Sequence, residues 1–160
     1  SDSFFLGGLD EIIAKYQAFG SPRLMLSAEK HCHPFGELAD RFPESVTSFR
    51  FANPGNYIGE IPYLLDVISK LKAYKHLTTD DQGHWMQAFL DNKIEFDIDR
   101  RCEIFQTMSD CEYADEFKVV DKRLINNETG STPCIVHFNG PKGAGTYNQA
   151  NMEALFNATL

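Results

Sequence analysis

The stretch with the greatest chemical potential runs from Pro133 to Lys142 and passes from apolar to polar residues. Cys134-Ile135-Val136 predicts a buried strand that carries His137 at its C-terminal end. Asn139-Gly140-Pro141 predicts a turn, and the lysine adds a cation. Because open α/β sheets bind ligands at the carboxyl ends of their strands, this group suits a metal-bridged phosphate such as a nucleotide diphosphate. A strand-end histidine beside an ordinary turn is the simpler alternative.

A second polar group follows another predicted strand, Leu24-Met25-Leu26-Ser27-Ala28. Glu29 stands at its carboxyl end, where a carboxylate points toward the place that a ligand would occupy. His31-Cys32-His33 comes next and consists of metal-ligating residue types. Ligands so close together on one loop rarely enclose an ion without further partners, so a plain loop is the favoured interpretation of these three residues.

The segment Asn53-Pro54-Gly55 lies between two apolar pieces and is made of turn-forming residues. It predicts a turn with special backbone angles. Such a turn either lets a substrate approach the main chain or is a plain hairpin turn. The residues leave both interpretations open.

Two acidic pairs occur farther along the chain. A capping box over residues 79–82 places Asp80 and Asp81 in the first turn of a helix, where the helix dipole alone could account for them. Asp97 and Asp99 form a literal Asp-x-Asp in an alternating strand segment. They share one face of that strand, which is more often the solvated face, so the motif is not evidence of a metal site.

The elements that must position these residues alternate between strand and helix. Residues 4–6 predict a strand, residues 9–16 a helix and residues 24–28 a second strand. This β-α-β order predicts an α/β fold with a parallel sheet covered by helices. The clearest amphipathic helix has a stripe that we assign to the core and not to function, formed by Ile61, Leu64, Leu65, Ile68 and Leu71.

Composition limits the broad class. The 160 residues predict one domain, and a hydrophobic share of 42% predicts a globular protein. The net charge of −8 without a basic stripe disfavours nucleic-acid and anionic-membrane binding. No apolar run has transmembrane length, and no signal peptide is recognisable. Residues 1–6 resemble a chain entered partway through a strand, so we expect an N-terminal part to be missing.

The cysteines do not predict a zinc centre. None of the four is in a Cys-x-x-Cys pair. This spacing disfavours a zinc protein whose metal is bound by Cys and His. Four cysteines allow one or two disulfides in an oxidising compartment and equally allow buried thiols. The positions concerned are Cys32, Cys102, Cys111 and Cys134.

Taken in order, several short motifs are similar to one known family. The sequence resembles the glycosyltransferase domain of the procollagen lysyl hydroxylase/glycosyltransferase proteins and, more distantly, the collagen galactosyltransferases, over about residues 2–142. The motifs that carry the resemblance are Leu26-Ser27-Ala28-Glu29 with Cys32 and Pro34, Ala52-Asn53-Pro54-Gly55 with Ile58-Gly59, Asp80-Asp81-Gln82, Ile104-Phe105-Gln106, and Ile135-Val136-His137-Phe138-Asn139-Gly140-Pro141.

The resemblance implies a GT-A type, Rossmann-like α/β domain with a mixed, mostly parallel sheet flanked by helices. Residues 1–160 would be the C-terminal portion of one such domain, without its N-terminal nucleotide-binding part. The implied reaction moves glucose or galactose from UDP-glucose or UDP-galactose to a hydroxyl acceptor, with Mn²⁺ or another divalent cation. The implied acceptor is hydroxylysine or galactosyl-hydroxylysine of a collagen-like protein, and the implied location is the endoplasmic reticulum or secretory pathway of a eukaryote.

The resemblance also implies roles for individual residues. The metal ligands are Asp2 and His137, and the catalytic pair near the sugar and acceptor is Asp80 and Asp81. The residues that would bind the substrate or nucleotide sugar are Glu29, Asn53, Asn139, Gly140 and Lys142.

The sequence departs from the family pattern at three places, and the departures at Phe138 and His33, together with the missing N-terminal part, favour an alternative, a catalytically inactive scaffold or protein-binding module. Phe138 stands where the family usually has glycine, which is expected to narrow the phosphate site. His33 replaces an aromatic residue, and Asn53-Pro54-Gly55 replaces Asn followed by small residues. The sequence leaves open the donor sugar, the acceptor and whether the anomeric configuration is retained.

Overall fold

The computed structural model describes residues 2–140 and 147–159. The strands are β1 (Ser3–Phe5), β2 (Leu24–Glu29), β3 (Phe51–Gly59), β4 (Asp97–Asp99), β5 (Phe105–Thr107), β6 (Phe117–Val120), β7 (Arg123–Asn126) and β8 (Ile135–His137). The helices are α1 (Leu9–Ala18), α2 (Ile61–Leu71), α3 (Asp81–Leu90), α4 (Tyr113–Glu116) and α5 (Tyr147–Thr159), with short 3₁₀ turns at Gly36–Arg41 and Lys72–Tyr74. Within the described ranges, every helix is too short or too polar to traverse a lipid bilayer.

Two small sheets adjoin to form the centre of the fold, with strand orders β3-β2-β4 and β1-β8-β5. Strand β2 is buried along its whole length. The Thr107 hydroxyl at the end of β5 donates a 2.6 Å hydrogen bond to the Ala28 carbonyl on β2, so the sheets meet there. Strand β5 runs parallel to β8. Because Thr107 at the end of β5 contacts Ala28 near the end of β2, and Asn139 just after β8 contacts Glu29 at the end of β2, the carboxyl ends of these three strands lie together.

The α/β class with a mixed sheet is confirmed. Among the described strands, β2–β4 and β5–β8 pair in parallel, while β1–β8, β2–β3 and β6–β7 are antiparallel. The antiparallel share is larger than the sequence predicted, because β3 returns directly alongside β2 and β1 runs against β8. These pairings need no crossover helix.

The Asn53-Pro54-Gly55 segment is not a hairpin turn. It lies inside β3, at a break in the β2–β3 register: Leu26 faces Tyr57, whereas the next residue, Ser27, faces Asn53. Residues 54–56 therefore have no partner in this ladder and form a bulge. Bulges bend a strand and redirect its side chains, and they are common beside functional sites.

Helix α2 is amphipathic, but only part of the predicted stripe is buried. Its inner face consists of Tyr63, Val67 and Leu71, which are at most 8% exposed, and Leu64 packs at the edge of the core. The core assignment was wrong for three residues of the stripe, Ile61, Leu65 and Ile68, which are 72%, 62% and 43% exposed. The helix has apolar residues on two faces, and the periodicity could not indicate which one packs.

The Asp-x-Asp motif has a structural role at the junction of β4 and β5. Asp99 is fully buried and accepts hydrogen bonds from the amides of Glu103, Ile104 and Phe105. Burial raises the pKa of Asp99, although the three amides act in the opposite direction. Asp97 is exposed, so the prediction that both aspartates share a solvated face is wrong.

All four cysteines lie in the described part of the chain, and they are buried, unpaired thiols. Burial raises the pKa of Cys32 to about 11 and that of Cys111 to about 12. Because the thiolate is the reactive form, these groups behave as small apolar core residues.

Candidate active site

A cavity of about 680 Å³ lies at the carboxyl ends of β2 and β8 and is closed on one side by the start of α3. Every predicted site residue in the described part of the chain lines this cavity, apart from Asp2, which touches one that does. The cavity-lining residues named by the sequence are Glu29, Asn53, Asp80, Asp81, His137, Asn139 and Gly140. Lys142 lies outside the described residues.

Asp2 and His137 lie side by side at one end of the cavity. The pairing of β1 with β8 places Ser3 opposite His137, and the Phe138 amide donates to the Asp2 carbonyl at 2.8 Å. This brings the Asp2 Oδ2 atom to 3.3 Å from His137 Nε2. Residues 135 positions apart in sequence thus place a carboxylate and an imidazole next to each other.

The donor atoms of this pair fit a divalent transition-metal ion in part. Mn²⁺ accepts both carboxylate oxygen and imidazole nitrogen. Within residues 2–140 and 147–159, no cluster of three or more His, Cys, Asp or Glu side chains is arranged to hold an ion. Asp2 and His137 thus bring together one carboxylate and one imidazole, the two kinds of donor that such an ion accepts.

The β3 bulge fixes the His137 ring from the opposite side. A Cβ atom added to Gly55 would lie only 2.7 Å from His137 Nδ1 and 2.8 Å from Asn53 Oδ1. No larger residue fits this approach without moving the ring or the amide. The glycine of the Asn-Pro-Gly segment is therefore explained by its contact with the histidine.

Glu29 forms the centre of a buried hydrogen-bond network on the cavity floor. Its side chain accepts hydrogen bonds from Asn53 Nδ2 at 3.1 Å, Asn139 Nδ2 at 2.8 Å and Gln82 Nε2. Burial raises the pKa of Glu29, with the hydrogen bonds from Gln82 and Asn53 opposing it. A carboxylate that accepts from several amides can remain ionised although it is only 4% exposed.

The two asparagine amides that contact Glu29 are fixed in orientation. Asn53 Oδ1 accepts the Gly55 amide at 2.9 Å. Asn139 Oδ1 accepts the amides of Met108 and Ser109 at 3.1 and 3.0 Å. Since each amide oxygen is used elsewhere, both NH₂ groups must point at the carboxylate.

The acidic pair at the start of α3 is divided into two environments. Asp80, not Thr79, is the N-cap residue: its Oδ1 accepts the Gln82 amide at 3.0 Å and its Oδ2 lies 2.9 Å from His33 Nε2. Asp81 is exposed and lies in the first helical turn. The predicted capping box is wrong because Gln82 turns inward to Glu29 and does not reach back to the cap.

Phe138 and Gly140, which follow β8, have different roles: the first packs in the core and the second forms a turn. Phe138 is fully buried and packs edge-on against Phe4 with ring centroids 5.7 Å apart, so it fills the core and does not line the cavity. Gly140 has a φ of 100°, in the left-handed region that favours glycine. The chain thus turns sharply as it enters the cavity wall.

Sequence reasoning missed part of the cavity wall. Gln82 was interpreted only as a helix-capping residue, yet it is a partner of Glu29. Ser109 and Asp110 also line the cavity, and Asp110 Oδ2 lies 3.4 Å from His31 Nε2. Nothing in an acidic, polar loop distinguishes these two residues from ordinary surface positions; only the end of β5 brings them here.

Comparison with known proteins gives a family for this arrangement. A sequence profile described as the PLOD GT domain matches residues 1–153. The human multifunctional procollagen lysine hydroxylase and glycosyltransferase LH3 is 32% identical over 146 residues, which cover 88% of this chain and 19% of that protein. An uncharacterized protein of Acanthamoeba polyphaga mimivirus, R699, is 32% identical over 139 residues, covering 85% of this chain and 29% of the viral protein.

A third relative, the procollagen-lysine,2-oxoglutarate 5-dioxygenase of Drosophila melanogaster, is 33% identical over 141 residues, or 82% of this chain and 19% of the fly protein. The chain thus spans between about a fifth and about a third of the length of these relatives. The profile match extends over nearly all of the chain, including every strand that lines the cavity. The chain belongs to the PLOD GT domain family, the glycosyltransferase domains of procollagen lysyl hydroxylase-type proteins.

Proposed function

We propose that this chain is the acceptor- and metal-binding part of a glycosyltransferase that moves glucose or galactose from a UDP-sugar to a hydroxyl group. The observation that carries the proposal is the convergence on one cavity of three groups that sugar transfer needs. These are a carboxylate–imidazole pair, a buried carboxylate held by amides, and an exposed carboxylate at a helix start.

The first group would act on the leaving diphosphate. Asp2 and His137 would hold a divalent cation such as Mn²⁺, which when bound supplies positive charge for the phosphates. The amide at the Gly140 turn and the Lys142 ammonium would donate hydrogen bonds to the same oxygens. The chemistry of these donors, and not a bound ion, supports this assignment.

The second and third groups would act on the sugar and the acceptor. Asp81 is exposed at the cavity, where its carboxylate would orient the acceptor hydroxyl and take its proton. Glu29 holds Asn53 and Asn139 in place on the floor, where their backbones and remaining lone pairs would shape the sugar site. Asp80, engaged at both oxygens, would position its neighbour.

The names of the relatives suggest the acceptor. Human LH3 is described as a procollagen lysine hydroxylase and glycosyltransferase, so hydroxylysine or galactosyl-hydroxylysine of a collagen-like protein is the acceptor that we propose. The endoplasmic reticulum or secretory pathway would be the corresponding location.

An inactive scaffold is the alternative, and one observation favours it. His33 occupies the place where the family has an aromatic residue, and it lies at the cavity mouth. The second argument for a scaffold, the bulk of Phe138 in the phosphate site, no longer applies because that ring lies in the core.

The test uses the protein expressed from its complete reading frame. UDP release from UDP-glucose and UDP-galactose is measured with hydroxylysine and galactosyl-hydroxylysine peptides, with and without Mn²⁺. We expect Mn²⁺-dependent release that is lost in the His137→Ala and Asp81→Ala variants. The exposed His76, whose ring contacts the Ala73 carbonyl, provides a matched control as His76→Ala.

A thermal-shift measurement separates binding from catalysis. Mn²⁺ plus UDP should raise the melting temperature of the wild type and of Asp81→Ala, because a ligand of the native state stabilises it. The shift should be lost in His137→Ala. Transfer that survives His137→Ala combined with Asp81→Ala would contradict the site, and a wild type with neither shift nor transfer would favour the scaffold.

A further inference from the structure

The loop after β2 contacts the start of α3 through a polar pair at the cavity mouth. His33 Nε2 lies 2.9 Å from Asp80 Oδ2, and the two side chains are 60% and 36% exposed. Asp80 is also the N-cap of α3, through its other oxygen. Both carboxylate oxygens of Asp80 are therefore engaged, one by the helix and one by the histidine.

The contact does not depend on two exposed side chains alone, because side chains of the loop also pack against the backbone of α3. A Cβ atom added to Gly83 in α3 would lie 2.9 Å from Phe35 Cε2 and 3.0 Å from Pro34 Cγ. The loop is held further by the Cys32 thiol, which donates to the Phe35 carbonyl at 3.2 Å. This packing delivers the His33 ring to Asp80.

The neighbouring carboxylate, that of Asp81, has a different environment from that of Asp80. Within the described residues, the Asp81 side chain has no hydrogen bond or ion pair, and it is exposed at the cavity. An aspartate engaged at both oxygens is poorly placed to accept a proton from a substrate, whereas one without competing partners is well placed. The two adjacent aspartates are thus unequal, and His33 is part of the cause.

We infer that His33 is a positioning residue: by holding Asp80 Oδ2 it fixes the first turn of α3 so that the Asp81 carboxylate meets the acceptor hydroxyl. The inference rests on the proposed function and goes beyond it by assigning the roles within the acidic pair. It also gives a purpose to the position where this chain departs from its family. An exposed pair contributes little to stability. We therefore expect the loss of His33 to lower kcat and to leave the free energy of unfolding nearly unchanged.

The experiment compares His33→Ala with His33→Gln in the protein from the complete reading frame. The probes are UDP-glucose and galactosyl-hydroxylysine peptide, or UDP-galactose and hydroxylysine peptide, whichever pair the wild type uses. His33→Ala should lower kcat about tenfold to a hundredfold while KM for the UDP-sugar is unchanged, because misplacing a reacting group costs rate. His33→Gln keeps an N–H donor near the position of Nε2 and should restore most of kcat.

A double-mutant cycle with Asp80→Asn tests the pair itself. If His33 acts through Asp80, the double variant His33→Ala/Asp80→Asn should be no slower than the slower single variant. His76→Ala provides the unaffected histidine control. Each variant must retain the wild-type melting temperature within a few degrees, which excludes general unfolding.

Four results would overturn the inference while leaving the proposed function intact. Three of them are wild-type kcat in His33→Ala, a His33→Gln variant as slow as His33→Ala, and additive losses in the cycle. An equal loss of kcat in His31→Ala, which disrupts the other pair at the mouth with Asp110, would also overturn it, since the effect would then be one of general charge. A wild type without transferase activity would contradict the proposed function, and the inference would fall with it.

Discussion

Glu29 allows a test that separates a role in the proposed site from a role in the stability of the fold. In Glu29→Gln, the new NH₂ group would face an amide donor at either position. Asn53 and Asn139 cannot turn because they use their oxygens elsewhere, and Gln82 also donates to the Ala52 carbonyl and accepts from Asn53. A buried donor without an acceptor costs about 1–3 kcal/mol. Removing a buried charge opposes this cost, in keeping with the raised pKa of Glu29. We therefore expect transfer to fall by about tenfold or more while the melting temperature changes by only a few degrees.

Kinetics and thermal melts of Glu29→Gln test this expectation. The control is Glu37→Gln, an exposed glutamate, which should leave both quantities unchanged. A large drop in melting temperature together with lost activity would mean that the network serves the fold and not the site.

Gly55 offers a test of how closely the β3 bulge controls the histidine. The backbone of Gly55 is not in the left-handed region, so Gly55→Ala adds a methyl group without backbone strain. That methyl group must displace the His137 ring or the Asn53 amide. We expect the Mn²⁺ concentration for half-maximal activity to rise about tenfold or more, as metal titrations of UDP release would show.

Gly36→Ala is the matched control for Gly55→Ala, because a Cβ atom on Gly36 meets nothing within 4 Å. Its metal dependence should equal that of the wild type. If both alanine variants need the same Mn²⁺ concentration as the wild type, the close approach at Gly55 does not govern the histidine.

At the residue scale, the sequence identified residues that stand at strand ends or in family motifs. His137 and Glu29 follow predicted strands directly, so the carboxyl-end rule located them. Asp2 has no such signal and was assigned by resemblance alone. The positions of Gln82 and Asp110 at the cavity could not be predicted, because the local sequence does not show toward which partner a side chain points.

At the scale of elements, helix α2 allows a comparison of two leucines on one helix. Leu71 is 8% exposed and belongs to the main core, whereas Leu65 is 62% exposed. Leu71→Ala should lower the free energy of unfolding by about 2–5 kcal/mol. Leu65→Ala should change it by about 0.5 kcal/mol or less. Urea unfolding of both variants measures the difference, and equal losses would show that the outer face of α2 is covered in the intact protein.

The existence of the elements was more predictable than their pairing. Strand β2 and helices α1 and α2 follow from runs and periods of apolar residues. The bulge in β3 depends on a three-residue mismatch with β2, and that mismatch is a property of two strands together. A turn-forming composition correctly marked unusual backbone at Asn53-Pro54-Gly55, but it could not distinguish a chain reversal from a bulge.

For the whole molecule, sequence resemblance supplied what local physics could not, the approach of residue 2 to residue 137. The order of strand and helix signals correctly predicted an α/β chain, but no propensity predicts that β1 runs antiparallel to β8. Long-range pairings are selected by the packing of the complete sheet, and two adjoining small sheets satisfy the same periodicities as one parallel sheet.

An ion pair also connects helix α1 to strand β7, whose paired residues are 112 positions apart in sequence. Glu11 on α1 receives two hydrogen bonds from the Arg123 guanidinium on β7, at 2.8 and 2.9 Å. Lys15 adds a contact at 2.8 Å. The hydrogen bonds from Arg123 are the main reason that the pKa of Glu11 falls from 4.5 to about 2.

This ion pair predicts how the stability of the whole fold depends on pH. Because the folded pKa of Glu11 is depressed, its stabilising effect is complete above about pH 4.5 and is lost as the pH falls toward about 2. Glu11→Gln should therefore lower the melting temperature at about pH 7, by an amount that corresponds to roughly 1 kcal/mol for a partly exposed bidentate pair. The difference from the wild type should be mostly lost near pH 2, where about half of the wild-type carboxyl is protonated as well. Asp10→Asn, in the same helical turn but exposed, corrects for the helix dipole and should show a smaller difference. A gap between wild type and Glu11→Gln that is the same at both ends of this pH range would mean that the side chain stabilises the fold by packing and not by charge.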